Sequence, residues 1–184
     1  MAETADLGPL AIGFNASALE FADPAFVHEI EDLLAKHLFD PRRLEIEITE
    51  TAILADGEVV RRNMMRLHHI GVRIALDDFG AGYSSLNHLR LFPFDKLKID
   101  QSFVRECSQS AQSAALIHAV VSLGKALGMT VVAEGVEDEA QLTFLRMAGV
   151  DALQGYLFGK AVPIERLRHA LNHPGMGLPL IAQA

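Results

Sequence analysis

Two spacings of apolar and polar positions take turns along this chain. Residues 43–49, RLEIEIT, alternate strictly, which marks a strand with one apolar face. LAIGF (10–14), RIALDDF (73–79), KLKID (96–100), TVVAEGV (130–136) and DALQGYLFG (151–159) read as further strand-bearing segments. Between them the apolar positions follow helical spacing. Residues 24–39 carry Phe26, Val27, Ile30, Leu33, Leu34 and Leu38 on such a pattern, with Asp23 as N-cap ahead of Pro24. Residues 58–71 predict a helix closed by Gly71, with Met64, Met65, Leu67 and Ile70 as core. A short helix over 84–92 ends before Pro93, and longer ones run over 113–128 and 137–149. Residues 164–171 predict a final helix, and 172–184, with two prolines and two glycines, a frayed tail.

Six strands alternating with helices predict a parallel sheet with helices packed outside it. An open doubly wound sheet and a (β/α) barrel both satisfy that order. Polar placement favours the barrel. Ile46 and Ile48, Ile74 and Leu76, and Leu97 and Ile99 share one strand face, which packs under the helices. The opposite face carries Glu47, Asp77, Lys98 and Asp100, all late in their strands. A barrel collects its site at the C-terminal mouth from several strands, whereas an open sheet concentrates it at one crevice.

Composition narrows the chemistry. The chain has 184 residues, half of them apolar, and a net charge of −8. That balance excludes broad charge neutralisation of a nucleic-acid polymer but is compatible with a small phosphorylated ligand held through metal ions. Cys107 is the one cysteine, so no internal disulfide forms and a reducing compartment is expected. No apolar run reaches about 18 residues, and MAETADLGPL lacks the basic-then-apolar order of a secretory signal. A cytoplasmic location is expected, which an anchor on an upstream segment would also satisfy.

Each polar residue has a plainer reading when taken alone. Asn15 is a helix-capping type. Glu47 fits a solvent-facing strand position, Glu134 a charged strand end, and Asp77 with Asp78 a turn before Gly80. Adjacent strand residues point to opposite faces, so Asp77 and Asp78 reach one cluster only if the strand ends or twists there. Lys98 is spaced to pair with Asp100. Gln154 means little by itself. GAGYSS lacks the third glycine of a phosphate-cradling loop. The histidines show no metal spacing, and His68 with His69 suits a helix C-terminus.

Six runs in register change the balance: FNAS (14–17), EITE (47–50), DDFGAGYSSL (77–86), KIDQSF (98–103), EGVE (134–137) and QGYLFG (154–159). From about residue 10 to residue 171 the chain resembles the EAL domain, the bacterial cyclic di-GMP phosphodiesterase module. The resemblance implies a (β/α) TIM-barrel-like fold and metal-dependent hydrolysis of cyclic di-GMP to pGpG. It implies a two-metal Mg²⁺ or Mn²⁺ site with Asn15, Glu47, Asp77, Asp78 and Glu134 as ligands. Lys98, Glu134 and Gln154 take catalytic roles, Glu50 steadies the loop after the aspartates, and Asp100 and Glu137 lie behind the ligands. Cyclic di-GMP is the implied partner, along with homodimerisation and fusion to an upstream sensor or a GGDEF-type domain. Ala81 stands where the family loop usually has Thr. The Glu-Ala-Leu run that names the family is absent. The chain is therefore expected to begin inside the domain, about two of eight strand–helix units late, with 1–171 as the domain and 172–184 as a tail. An incomplete ligand set predicts weak or absent turnover for the 184 residues alone. A cyclic di-GMP receptor or interaction module and a different TIM-barrel hydrolase are the competing readings.

Overall fold

The structure, a computed structural model, describes residues 10–50, 57–80, 86–164 and 166, together with Ala182 and Gln183. It divides into two compact units, over residues 8–97 and 98–184.

The first unit opens with β1 (Ile12–Asn15), followed by α1 (Ala18–Ala22), α2 (Pro24–His37), β2 (Leu44–Thr49), α3 (Gly57–His69), β3 (Arg73–Phe79) and α4 (Leu86–Leu91). β1 and β3 flank β2 in parallel ladders; Asn15 lies beside Glu47, and Thr49 beside Asp77. As the alternation requires, Ile46, Ile48, Ile74 and Leu76 are fully buried. Asp23 caps α2 by accepting from the Ala25 amide at 2.8 Å, as Pro24 at the first turn predicts.

Three features of this unit depart from the periodic reading. The chain forms α1 directly after β1, with Ser17 and Glu20 as a reciprocal capping box. Five residues hold little more than one helical turn, too few for a repeat to show, so only the cap signals this helix. Met65 is exposed, although it was expected in the core, and Leu33 and Leu38, on the helical spacing of α2, are exposed too. In α3 the buried position goes instead to Asn63, whose amide donates to the carbonyls of Phe21 at 2.7 Å and Asp23 at 3.2 Å. Asn63 thereby satisfies the carbonyl end of α1 while Met64 and Leu67 fill the core beside it.

β4 (Lys96–Ile99) carries the chain across the unit boundary. The second unit then contains α5 (Gln101–Glu106), α6 (Ala111–Ala126), β5 (Thr130–Ala133), α7 (Glu139–Ala148), β6 (Ala152–Leu153) and β7 (Ala182–Gln183). β5 and β6 run parallel, and β7, inside the stretch expected to fray, pairs antiparallel with β6. The last predicted strand shrinks to two residues because Gln154 and Gly155 turn toward Val136 instead of continuing the ladder. α5 was not foreseen; Asp100 caps it by accepting from the Ser102 amide at 2.9 Å. Most of the predicted helix over 164–171 lies outside the described residues.

The same aspartate device appears in both units. Asp95 accepts from the Ile74 amide at 2.8 Å, and its own amide donates to the Ile74 carbonyl at 2.9 Å. Asp151 does the same with Val131, at 2.8 and 2.9 Å. A basic side chain from the helix that leads into the partner strand faces each aspartate, His68 at 3.4 Å and Lys125 at 3.9 Å. Each aspartate thus ties the start of its own strand to the start of another, at the end away from the predicted mouth.

Two outcomes are expected. Asn63→Ala leaves two carbonyls near the α1–α2 junction without their donor and lowers stability by about 1–3 kcal/mol in urea unfolding. Cys107 is buried, and desolvation, reinforced by the charge of Asp138, pushes its thiol up from the ordinary range. It is expected to react slowly with a neutral-pH disulfide reagent until the protein is unfolded.

Candidate metal centre

Register places the first group of acidic and amide oxygens. Asn15 ends β1 and lies beside Glu47 in the ladder, so the two side chains share a face. Asn15 does not cap a helix; Ser17 holds that position. Glu47 leans across β1, with Oε1 3.4 Å from where a side chain on Gly13 would begin. Asp77 lies beside Thr49, on the same face and one two-residue step farther along. It is buried, as a residue on a wholly interior face would be.

Asp78 resolves the conflict between neighbouring strand residues. Its φ is 54°, a left-handed backbone value that Asp tolerates better than most residues. Its amide donates to Asp77 Oδ1 at 3.0 Å. A carboxylate oxygen of Asp77 and one of Asp78 lie within 4.8 Å of each other. An ordinary strand would have sent Asp78 to the opposite side. Two carboxylates gathered in this way form an oxygen cluster of the kind that holds a cation. The donor set of carboxylate and amide oxygens suits a hard divalent ion, and it contains no thiolate or imidazole suited to zinc.

Glu50 follows the Glu47 position by three residues and is buried. Among the described residues neither of its carboxylate oxygens has a hydrogen-bond partner. The loop it was expected to steady, including Ala81, lies largely outside the described residues.

The second unit supplies the other group. Lys98 Nζ lies 2.6 Å from Glu134 Oε1, and the lysine side chain is only 5% exposed. The spacing argument had pointed Lys98 toward Asp100. Lys98 pairs with Glu134, and Asp100 caps α5. Glu134 is placed by its amide, which donates to the Ile99 carbonyl at 3.2 Å. Gln154 is placed by two backbone bonds, its amide to the Ala133 carbonyl at 2.9 Å and its carbonyl from the Val136 amide at 3.0 Å. Glu137 starts the turn into α7, its amide donating to Gln141 Oε1 at 2.7 Å. Gly155 is required by space: a Cβ there would sit 2.2 Å from the Val136 amide nitrogen and carbonyl oxygen. Gly135 likewise combines a φ of 69° with a Cβ position 2.6 Å from Gln101.

A sequence model of the EAL domain matches residues 1–161. The chain belongs to the EAL domain family. Among curated relatives, the bifunctional diguanylate cyclase/cyclic di-GMP phosphodiesterase MucR of Pseudomonas aeruginosa is 41% identical over 156 residues, covering 85% of this chain and 23% of that protein. The solved phosphodiesterase part of MucR, in complex with cyclic di-GMP, superposes with a TM-score of 0.81 at 41% identity, covering 85% of this chain and 64% of that one. The manganese and cyclic di-GMP complex of Klebsiella pneumoniae BlrP1 gives 0.80 at 34% identity, covering 86% of this chain and 41% of the other. The chain thus spans about a quarter or less of the length of the first curated relatives. Its fold is the incomplete (β/α) TIM-barrel-like fold of EAL structures. Among the described residues no helix is long and apolar enough to cross a membrane.

One ion pair escaped the sequence reading. Glu45, two residues before Glu47 on the same face of β2, accepts from Lys96 Nζ at 2.7 Å. Both side chains are largely buried, at 11% and 17% exposure. The alternation RLEIEIT shows that Glu45 faces inward, but nothing in a single sequence pairs it with Lys96. Removing one partner strands a buried charge, whereas removing both does not. Lys96→Met is expected to lose about 3 kcal/mol or more in denaturant unfolding, and the double variant Glu45→Leu/Lys96→Met to recover most of that loss.

Proposed function

We propose that this EAL domain hydrolyses cyclic di-GMP to the linear dinucleotide pGpG with Mg²⁺ or Mn²⁺. The observation that carries the reading is the left-handed Asp78, which brings its carboxylate to that of Asp77. Asn15 and Glu47, side by side on the same face, supply further oxygen donors from the first unit. The family resemblance assigns Glu134 to the ligand set as well. When bound, a pair of divalent ions polarises the phosphodiester and lowers the pKa of an attacking water.

The chain's own groups take the remaining work. Lys98, held by Glu134, supplies a fixed positive charge that stabilises charge developing on the phosphate and orients the nucleophile. Gln154 contacts the water and substrate network from its fixed turn. Asp100 and Glu137 act as supports, by capping α5 and by anchoring the turn into α7. Glu50 steadies the loop over 79–86; a buried carboxylate with no partner among the described residues supports a role that brings donors to it.

The relatives support the wider assignments. MucR's name couples a diguanylate cyclase with a phosphodiesterase, which supports fusion of this domain to a GGDEF-type or sensory segment in the whole protein. Homodimerisation and a cytoplasmic site of action, with Cys107 kept reduced, complete the reading.

The test is turnover of cyclic di-GMP by the full-length protein, followed by chromatographic detection of pGpG. Chelation is expected to abolish product and Mn²⁺ to restore it. Asp77→Asn is expected to lower turnover by at least about a hundredfold. A wild-type protein that binds the dinucleotide without cleaving it would establish the receptor reading instead. Turnover indifferent to chelation would remove the metals from the account.

A further inference from the structure

An apolar cleft opens in the first unit where α2 and α3 finish, before β2 and β3 begin. Its volume is about 370 Å³. Leu34, Ala35, Leu38, Phe39, Pro41 and Ile70 line it. Leu34 is buried, but Leu38 stands 87% exposed. The Leu38 backbone is left-handed, with φ 49° and ψ 38°, a conformation that suits glycine at a helix end. Two bonds pin it there. The Leu38 amide donates to the Ala35 carbonyl at 3.2 Å, and the Phe39 amide to the Leu34 carbonyl at 3.0 Å. The chain thus holds a large apolar side chain in solvent at a position where glycine fits without strain. Neither the core nor the end of α2 requires leucine there.

Charge around the cleft is uneven. Glu31 borders it, and Arg66 holds both its oxygens, with Nε 2.9 Å from Oε1. Asp40 is answered by Arg42 at 2.8 Å. Lys36 has no ion-pair partner among the described residues. Arg43 sets its guanidinium 5.1 Å from the centroid of the Phe39 ring. The border is therefore positive on a chain of net charge −8. Lys36 also suits the negative end of the α2 dipole, but that effect asks nothing of Leu38. The shape narrows the occupant. No strand can be added here, because β2 is paired on both edges. A flat lipid surface does not enter a concave cleft. A helix presents an apolar ridge at i, i+3, i+4 and i+7, which does enter one. Carboxylates beside that ridge would meet the positive border.

We propose that the cleft at the ends of α2 and α3 docks an acidic amphipathic helix of a partner polypeptide, with Leu38 as its anchor and Lys36 selecting its charge. This inference goes beyond the hydrolase reading and does not depend on it. The cleft precedes β2 and β3, whereas Glu47, Asp77 and Asp78 lie late in those strands. A partner seated there does not cover the oxygen cluster of the first unit.

The experiment uses the full 184-residue chain and two fluorescent synthetic peptides. Both peptides carry leucine at i, i+3, i+4 and i+7; one has glutamate beside that ridge and the other lysine. Fluorescence anisotropy is expected to show the glutamate peptide binding at least about tenfold more tightly than the lysine peptide, with affinity falling as salt rises. Leu38→Gly is expected to weaken that binding by about tenfold or more, the scale of an interface anchor. Glycine accepts the left-handed backbone, so this variant keeps its helical circular dichroism and melts close to the wild-type temperature. Its loss is then one of docking and not of folding. Lys36→Glu is expected to weaken binding of the glutamate peptide and to strengthen that of the lysine peptide. No binding of the glutamate peptide up to about 1 mM, equal affinity for both peptides, or undiminished binding by Leu38→Gly would each overturn the proposal. So would a Leu38→Gly variant that melts far below wild type, because Leu38 would then serve the fold. Capture of the chain by phosphatidylglycerol vesicles in place of the peptide would make the occupant a lipid surface. A wild-type dimer that Leu38→Gly turns into a monomer in sedimentation would make it a second copy. Either result also overturns the proposal.

Discussion

Charge on the covered face of a parallel sheet has to be answered by opposite charge, by donors or by a cation. That constraint organises this chain. Helices cover one face of the strands with Ile46, Ile48, Ile74 and Leu76 buried beneath them. The other face carries the acids and lysines, and it is largely closed to water as well: Glu45, Asp77 and Lys98 are all buried. Glu45 meets Lys96, and Lys98 meets Glu134, each at 2.6 Å. At Asp77 and Asp78 the local backbone bends to bring two carboxylates together. The family to which the chain belongs includes solved metal complexes with cyclic di-GMP, and we propose that a divalent ion answers these two carboxylates here as well.

The two units divide the labour. In the first, three parallel strands set Asn15, Glu47 and Asp77 by register alone, so their relative placement follows from ladder hydrogen bonds. In the second, Glu134 and Gln154 lie on strand ends and turns, and glycines permit the close backbone approach that holds them. The first arrangement resists single substitutions outside the ladder. The second depends on a few glycines, since any Cβ at 155 meets main-chain atoms rather than a movable side chain.

Much of this was legible in the sequence, for identifiable reasons. Strict alternation in RLEIEIT fixed which residues of β2 face inward, and Pro24 after Asp23 fixed where α2 begins. The family motifs named the ligand candidates. What escaped was local or distant. α1 and α5 are too short to show a period, and only their caps, Ser17 and Asp100, betray them. Met65 was expected in the core and is exposed, as are Leu33 and Leu38 on the apolar spacing of α2, because that spacing marks a stripe wider than the surface available to cover it. Asn63 took a core-facing position because it answers two carbonyls on another helix, a contact across about forty residues that no periodicity encodes. Period two correctly warned that Asp77 and Asp78 should diverge. Only the backbone angle at Asp78 explains why they do not.

The most direct measurement of the central claim is an anomalous-scattering map of crystals of the full-length protein grown with Mn²⁺ and cyclic di-GMP. The account predicts two manganese peaks a few ångströms apart, coordinated by oxygens of Asn15, Glu47, Asp77, Asp78 and Glu134 and bridged to the phosphodiester. A dinucleotide bound with no manganese beside Asp77 and Asp78, or manganese held by other groups, would contradict it.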